Sequence, residues 1–326
     1  MVQFGYTMMT EQAGPRALVD DLVEAERAGF DFSVTSDHYF PWLPSQGHAP
    51  YAWSVLGAGA QATERIGLMT YVTCPTVRYH PAVVAQKAAT MQLLSGGRFR
   101  LGLGSGENLN EHVVGAGWPS PEVRLTMLEE AMVIIRALFT GENLNHQGEH
   151  FEVANARLWD LPDTLPPVGV AVSGGRSCAV AGRLADLVIA TEPKPELIHA
   201  FDRHGGTGKP RIGQIPVCYD TDRDAAIARA HDQFRWSVGT WPVNAELPVP
   251  SSFEGATQYV TPQDMAQAIP CGDNVDDFVD AVRRYTEAGF TEVAVVQVGG
   301  EHQRPFIDWA AKELLPALRE LSTARS

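Results

Sequence analysis

The run Thr35-Ser36-Asp37-His38-Tyr39-Phe40-Pro41-Trp42 sets a carboxylate beside an imidazole and follows them with aromatic residues and a proline. An imidazole titrates near neutrality, so His38 could take or give a proton over a flat ligand while the carboxylate tunes its affinity. A helix cap or loop that only satisfies backbone groups would use the same pair, and spacing alone weighs the two readings equally. A second run, Tyr71-Val72-Thr73-Cys74-Pro75-Thr76-Val77-Arg78-Tyr79-His80-Pro81, is stiffened by proline and would approach a ligand with backbone as well as side chains. Cys74 within it lacks a recognisable partner base, which favours packing over nucleophilic work.

The third run, Gly102-Leu103-Gly104-Ser105-Gly106-Glu107-Asn108-Leu109-Asn110-Glu111, lets backbone come close to a ring or phosphate and then presents the Glu107 carboxylate. Its last glycine falls two residues after the second instead of three, so it is not the dinucleotide fingerprint. Ser105 likewise lacks the G-x-S-x-G frame of a hydrolase. Ser173-Gly174-Gly175-Arg176 leads into a helix, and small residues with free N–H groups beside an arginine form a phosphate cradle. A tight strand-to-helix turn with an exposed arginine explains the same residues almost as well. Thr191 and Lys194 follow the next strand on the same face. His146 and His150 straddle Gly148 in a hairpin-like run, and His199 and His204 lack partners at ligand spacing, so no catalytic metal is expected.

These residues need a scaffold that brings strand ends together. Short apolar or alternating runs at 2–6, 32–35, 66–73, 98–102, 168–172, 187–190, 211–219 and 292–297 read as strands. Helical period fills 15–27, 51–62, 81–94, 121–139, 177–184, 225–237 and 275–287. Eight strands alternating with helices predict an α/β fold, a (β/α)8 TIM barrel whose active site lies at the C-terminal strand ends. The joints at 26–31 and 286–291 share one grammar, a helix stopped by glycine and then an apolar strand. Residues 143–157 alternate like a hairpin, and 240–261 are rich in Pro, Ser, Gly and Asn with little helical period. Both are expected excursions from one barrel domain spanning 1–326, with no linker-like break.

The charge narrows the partners. With 25 Lys+Arg against 39 Asp+Glu the net charge is −14, a field that repels nucleic acid and anionic lipid surfaces. An anionic ligand must be held by local cations and N–H groups. The four cysteines show no CxxC spacing and are expected to be reduced. No leader pattern and no membrane-spanning run is evident, so a cytoplasmic enzyme acting on a small molecule is expected.

Four motifs in order carry a resemblance across nearly the whole chain: Thr10-Glu11-Gln12; Ser36-Asp37-His38 with Pro41-Trp42; Thr73-Cys74-Pro75-Thr76 with Arg78-Tyr79; and Gly104-Ser105-Gly106-Glu107 with Leu109-Asn110-Glu111. The chain resembles the luciferase-like barrel superfamily, and within it the coenzyme F420-dependent branch of glucose-6-phosphate and secondary alcohol dehydrogenases. The resemblance implies a (β/α)8 barrel with insertions, often a homodimer, that passes hydride between a substrate and the deazaflavin. It implies His38 as base for the substrate hydroxyl, Trp42 beside the reacting centre, Glu107 managing charge or a proton at the ring, and Glu11 on the substrate side. Asp37, Asn110, Cys74 and the backbone at Tyr71-Val72 would hold the deazaflavin, and relatives carry a non-proline cis peptide at the equivalent bond. Ser173, Gly174, Gly175, Arg176 and Thr191 would take its phosphate side. Lys194 falls at one position where the sugar-phosphate enzymes bind substrate phosphate. Residues 248–267 contain no Lys or Arg where the family supplies others, so an uncharged or differently shaped alcohol fits better. Alternatives are an FMN-dependent monooxygenase on the same barrel, a reductase of an activated double bond or imine using the reduced deazaflavin, and a non-catalytic cofactor-binding sensor.

Overall fold

The computed structural model describes residues 2–323; Met1 and residues 324–326 of the expected domain lie outside the described residues. Its strands are β1 (Gln3–Met8), β2 (Phe32–Thr35), β3 (Gly67–Thr70), β4 (Phe99–Leu103), β5 (Leu144–Gln147), β6 (Glu152–Ala156), β7 (Val168–Ala171), β8 (Leu187–Ala190), β9 (Arg211–Tyr219), β10 (Cys271–Gly272) and β11 (Glu292–Gln297). Eight of them close a parallel ring in the order β1-β2-β3-β4-β7-β8-β9-β11, and β11 pairs back onto β1. This is the (β/α)8 barrel expected from the alternation of strands and helices.

The ring closes because its strands are apolar on both faces, as parallel strands covered by helices must be. Inward-facing Phe32, Val34, Met69, Leu187, Ile189, Ile212 and Ala294 fill the interior. Outward-facing residues pack under the helices; the helix Pro15–Ala28 contributes Leu18, Leu22 and Ala25, one stripe at helical spacing. That helix ends at Gly29, whose φ of 98° lets its N–H cap Ala25 and Glu26 before the chain enters β2. At the N-terminal end of the ring Arg100 pairs with Glu292 at 2.7 Å, its guanidinium over the Phe32 ring. The barrel is therefore solid and stoppered below, which leaves the opposite mouth for chemistry.

The ladder of β3 stops at Thr70, short of the expected 73. The following Tyr71–Val72 peptide is cis, and Thr73 rejoins β4 through its N–H to Gly102 O at 2.9 Å. Gly102 sits in that crossing because a Cβ there would lie 2.0 Å from Thr70 O, a backbone atom with no room to retreat. Gly102→Ala is expected to destabilise the fold by about 3 kcal/mol, an overpacking cost at the upper end of the usual range, measurable by urea unfolding.

Residues 144–156 form the antiparallel pair β5–β6, pinned by Glu130, which accepts N–H bonds from His150 and Phe151 and lies 3.0 Å from His146. The two histidines considered as ligands thus serve a hairpin anchor. Residues 240–261, expected to be irregular, contain two short helices, Trp241–Asn244 and Pro250–Ala256, each with proline in its first turn. One or two turns are too short to print a helical period on a sequence. The two-residue strand β10, which extends the sheet beyond β9, escaped the strand pattern for the same reason.

Candidate active site at the barrel mouth

Three strand ends assemble the centre. Beyond β1, Thr10 donates its N–H to Ser36 Oγ at 3.0 Å, locking the β1 and β2 exits together. Ser36 Oγ in turn donates to Glu11 Oε2 at 2.6 Å. This fixes Glu11, 1% exposed, with its other oxygen 2.6 Å from His38 Nδ1. The opposite ring nitrogen, Nε2, lies 3.3 Å from Glu107 Oε1, delivered by the exit of β4. His38 is thus clamped between two carboxylates brought together from 27 and 69 residues away.

Electrostatics follow from this clamp. Burial alone would strip the proton from His38, but the Glu11 charge and its direct contact, reinforced by Glu107, outweigh that burial and the opposing Arg78 charge, raising the pKa to about 9. Burial would likewise protonate Glu11, yet the imidazolium and the Ser36 hydroxyl hold it below the ordinary carboxylate value. At neutral pH the pair rests as imidazolium and carboxylate.

Asp37 and Asn110, expected to touch a cofactor, lie behind this centre. Asp37 has no exposed side-chain surface. Its Oδ2 accepts from Thr73 Oγ1 at 2.6 Å and Trp53 Nε1 at 3.0 Å, and its Oδ1 from Tyr79 OH at 3.1 Å, with Arg78 Nη2 3.3 Å away. Asn110 is equally buried, donating to Glu107 Oε1 at 2.6 Å and accepting the N–H groups of Tyr39 and Phe40. Both hold their neighbours in place. Arg78, quoted in the motif without a role, ties the assembly together. Its Nη2 donates to Asp37 O at 2.5 Å and its N–H to Glu111 Oε2 at 2.7 Å. Burial pushes Glu111 up to about 7 in spite of that cation.

Cys74 is 3% exposed and burial pushes its thiol well up, so it is neutral packing beneath the glycines of β4's exit. A Cβ on Gly104 would fall 2.6 Å from Val72 Cγ2, so only glycine permits that approach. Tyr71, Val72 and Ala171, partly buried, pack against the interior cluster. Trp42 borders the centre with its ring edge-on to His38 at 4.9 Å and stacks on Trp236 at 4.1 Å and 9°. Phe253, from the 240–261 excursion, meets its other edge at 5.2 Å. Neither Trp236 nor Phe253 was foreseen, because nothing in their local pattern marks them as facing Trp42.

The third group of expected residues lies at the ends of β7 and β8. The helix Gly175–Leu184 begins there, with open space where Gly174 and Gly175 would carry side chains. The hydroxyl of Ser177 accepts from the N–H groups of Ser173 and Gly174, while the first turn of the helix has no intrahelical acceptor for its own N–H groups. Arg176 turns outward to Glu122 at 2.7 Å. Thr191 is exposed and offers its carbonyl to Tyr285 OH. Lys194, more than half exposed, pairs with Glu192 at 2.8 Å. Among the described residues no group of three or more His, Cys, Asp or Glu is arranged to hold a metal.

The chain matches the family model described as luciferase-like monooxygenase over residues 1–297. It is 35% identical to the F420-dependent glucose-6-phosphate dehydrogenase of Intrasporangium calvum, over 98% of this chain and 100% of that protein. The enzyme of the same name from Beutenbergia cavernae is also 35% identical, over 98% of each chain. Among solved structures, an F420-dependent secondary alcohol dehydrogenase in complex with an F420-acetone adduct superposes with a TM-score of 0.89 at 26% identity, covering 97% of this chain and 99% of that one. With a family model spanning nine-tenths of its length and relatives of this identity along the whole of it, the chain belongs to the luciferase-like family.

Proposed function

We propose that this protein is an oxidoreductase of the luciferase-like class that transfers hydride between coenzyme F420 and an uncharged secondary alcohol or the corresponding ketone. The observation that carries the reading is the buried clamp Glu11–His38–Glu107 beside Trp42, a proton-transfer site at the mouth of a family barrel. The names of the relatives support the cofactor, and the residues present suit it. Tyr71, Val72 and Ala171 would carry a planar ring, and the open helix start at Gly174–Arg176 would take a phosphate-bearing tail. When bound, the deazaflavin supplies a two-electron hydride acceptor or donor and nothing else.

The chain's own groups then handle the proton. In carbonyl reduction His38, resting protonated, gives its proton to the developing alkoxide. In alcohol oxidation it must first lose that proton, so oxidation gains with rising pH toward about 9 and reduction fades through the same range. Glu11 orients Nδ1 and balances the imidazolium. Glu107, fixed by Asn110, faces Nε2 and would manage charge or a proton at the ring. Trp42, braced by Trp236 and Phe253, walls the substrate with aromatic surface.

That wall argues against a sugar phosphate. The excursion that could bring cations instead brings Phe253, residues 248–267 hold no Lys or Arg, and Lys194 is engaged with Glu192. Lacking two charge-assisted phosphate contacts of about 1.5–3 kcal/mol each, the enzyme is expected to use glucose 6-phosphate at least 100-fold less efficiently than isopropanol. Lys194→Ala should leave the kcat/KM for isopropanol within two-fold. A ratio favouring the sugar phosphate, lost in Lys194→Ala, would reverse the substrate assignment. The reading also includes a homodimer in the cytoplasm, supported by the family resemblance and by four free cysteines. Among the described residues no helix is long and apolar enough to cross a membrane.

A further inference from the structure

Two of the four cysteines meet in the fold. Cys218, near the end of β9, and Cys271, which opens β10, are direct partners in the parallel ladder, and both are free. Adjacent strands lie about 4.8 Å apart, inside the roughly 4.4–6.8 Å Cα separation that a disulfide spans. Both side chains enter one apolar cluster, which also holds Met9, Trp42, Phe253 and Met265. Behind Cys218 stands Arg229, held by Asp220 Oδ2 at 3.0 Å and Tyr219 O at 2.9 Å.

The surroundings make the pair unequal. The contact from Cys271, joined by the Arg229 charge, draws the Cys218 thiol below its ordinary value in spite of burial. The same contact and burial push Cys271 up. Both sulfurs are buried and Cys218 Sγ donates to Val298 O at 3.9 Å, so the pair rests as two thiols in one contact, with the Arg229 charge beside Cys218 favouring it as the attacking sulfur and Cys271 as the resolving one. Cys74 and Cys178 have no such partner in the ladder and sit apart.

We propose that Cys218 and Cys271 are a peroxide-sensitive thiol pair that closes reversibly to a disulfide beneath the substrate wall. The Cys218 sulfur gives up its proton and attacks one oxygen of hydrogen peroxide, the O–O bond breaks, and the departing hydroxide takes that proton to become water. The Cys271 sulfur then displaces the hydroxyl from the Cys218 sulfenic acid, releasing a second water. Two thiols lose two electrons in all and one peroxide gains them. The bond closes a loop through residues 219–270, the segment that supplies Trp236 and Phe253 behind Trp42. Disulfides in reducing compartments are mainly transient and redox-sensing, which suits a pair that ordinarily rests as thiols.

The test treats the reduced, full-length enzyme with hydrogen peroxide, alkylates what remains free, and maps peptides without reduction. The expected product is one cross-linked peptide pair joining Cys218 to Cys271, two hydrogens lighter and reopened by dithiothreitol. Cys74 and Cys178 should still alkylate after unfolding, and the thermal midpoint should rise by about 5 °C, as closing a loop of this length predicts. Cys178→Ser should cross-link as the wild type does. Cys271→Ser should stop at a Cys218 sulfenic acid that dimedone traps. Four alkylatable thiols after oxidation, or sulfinic acid at Cys218 with Cys271 free in the wild-type enzyme, would overturn the proposal.

Discussion

His38→Ala is expected to lower kcat by about 10²–10⁴-fold, the usual worth of a positioned proton-transfer group, while F420 affinity stays within a few-fold. The split follows from position. The imidazole stands between Glu11 and Glu107, whereas the proposed ring floor and phosphate turn would use Tyr71, Val72, Ala171 and Gly174–Arg176. Truncation also strands Glu11, buried to 1% exposure and left without its cation. Removing one partner of a buried pair costs about 3–5 kcal/mol, so a lower melting temperature should accompany the loss of turnover. His38→Gln separates the effects. Its amide can still donate to Glu11 and recovers much of the stability, but it cannot exchange a proton, so turnover should stay low. Unchanged turnover in either variant would remove His38 from the mechanism, and loss of F420 binding in His38→Gln would make it a cofactor residue.

The second large effect is expected from Glu11→Gln, and it is a shift along the pH axis. Glu11 is what keeps His38 charged; without it, burial dominates and the pKa should fall from about 9 to or below the ordinary 6.5. At pH 7 a base with a pKa of 9 is only about 1% deprotonated, so the wild type oxidises alcohols poorly there and improves toward alkaline pH. In Glu11→Gln the oxidation limb should move to lower pH by more than two units, and carbonyl reduction at pH 7.5 should weaken because the resting proton is gone. Stability follows the same linkage. The raised pKa of His38 contributes stability in full below pH 6.5, and that contribution is lost as the pH rises through about 9. The depressed pKa of Glu11 contributes stability above its unfolded value, lost on acidification through the lowered one. The wild type should therefore lose thermal stability between about pH 7 and 9, and Glu11→Gln should not. Parallel pH–rate profiles in both directions check the kinetic shift; superimposable profiles for wild type and variant would show that Glu11 does not tune His38.

The sequence shows these groups unequally. Strand and helix period exposed the ring, and the turn glycines at 29 and 289 marked its helix-to-strand joints, because each signal is local. His38 and Glu107 were legible as candidates since each follows a strand, and Glu11 entered through the family resemblance. The structural surroundings of Asp37 were not legible. Its partners Trp53, Thr73, Arg78 and Tyr79 lie 16 to 42 residues along the chain, and only barrel closure reveals that they use up both carboxylate oxygens. The contacts of Asn110 with Glu107, Tyr39 and Phe40 were hidden for the same reason. The substrate wall was the least visible part. Phe253 comes from a short helical piece without period and Trp236 from the turn that continues the helix Arg223–Phe234, and their meeting with Trp42 is a consequence of packing. The missing cations in 248–267 could be read directly, but what replaces them could not. The Cys218–Cys271 register was hidden as well, since a two-residue strand leaves no pattern.

The central claim is tested most directly by mixing the purified enzyme anaerobically with oxidised F420 and isopropanol and following the deazaflavin absorbance. Bleaching in proportion to acetone formed is expected, faster toward pH 9 and abolished in His38→Gln, with no oxygen uptake when reduced FMN is supplied in air. Tight binding of reduced FMN with substrate-dependent oxygen consumption, and no deazaflavin bleaching with any alcohol, would contradict it.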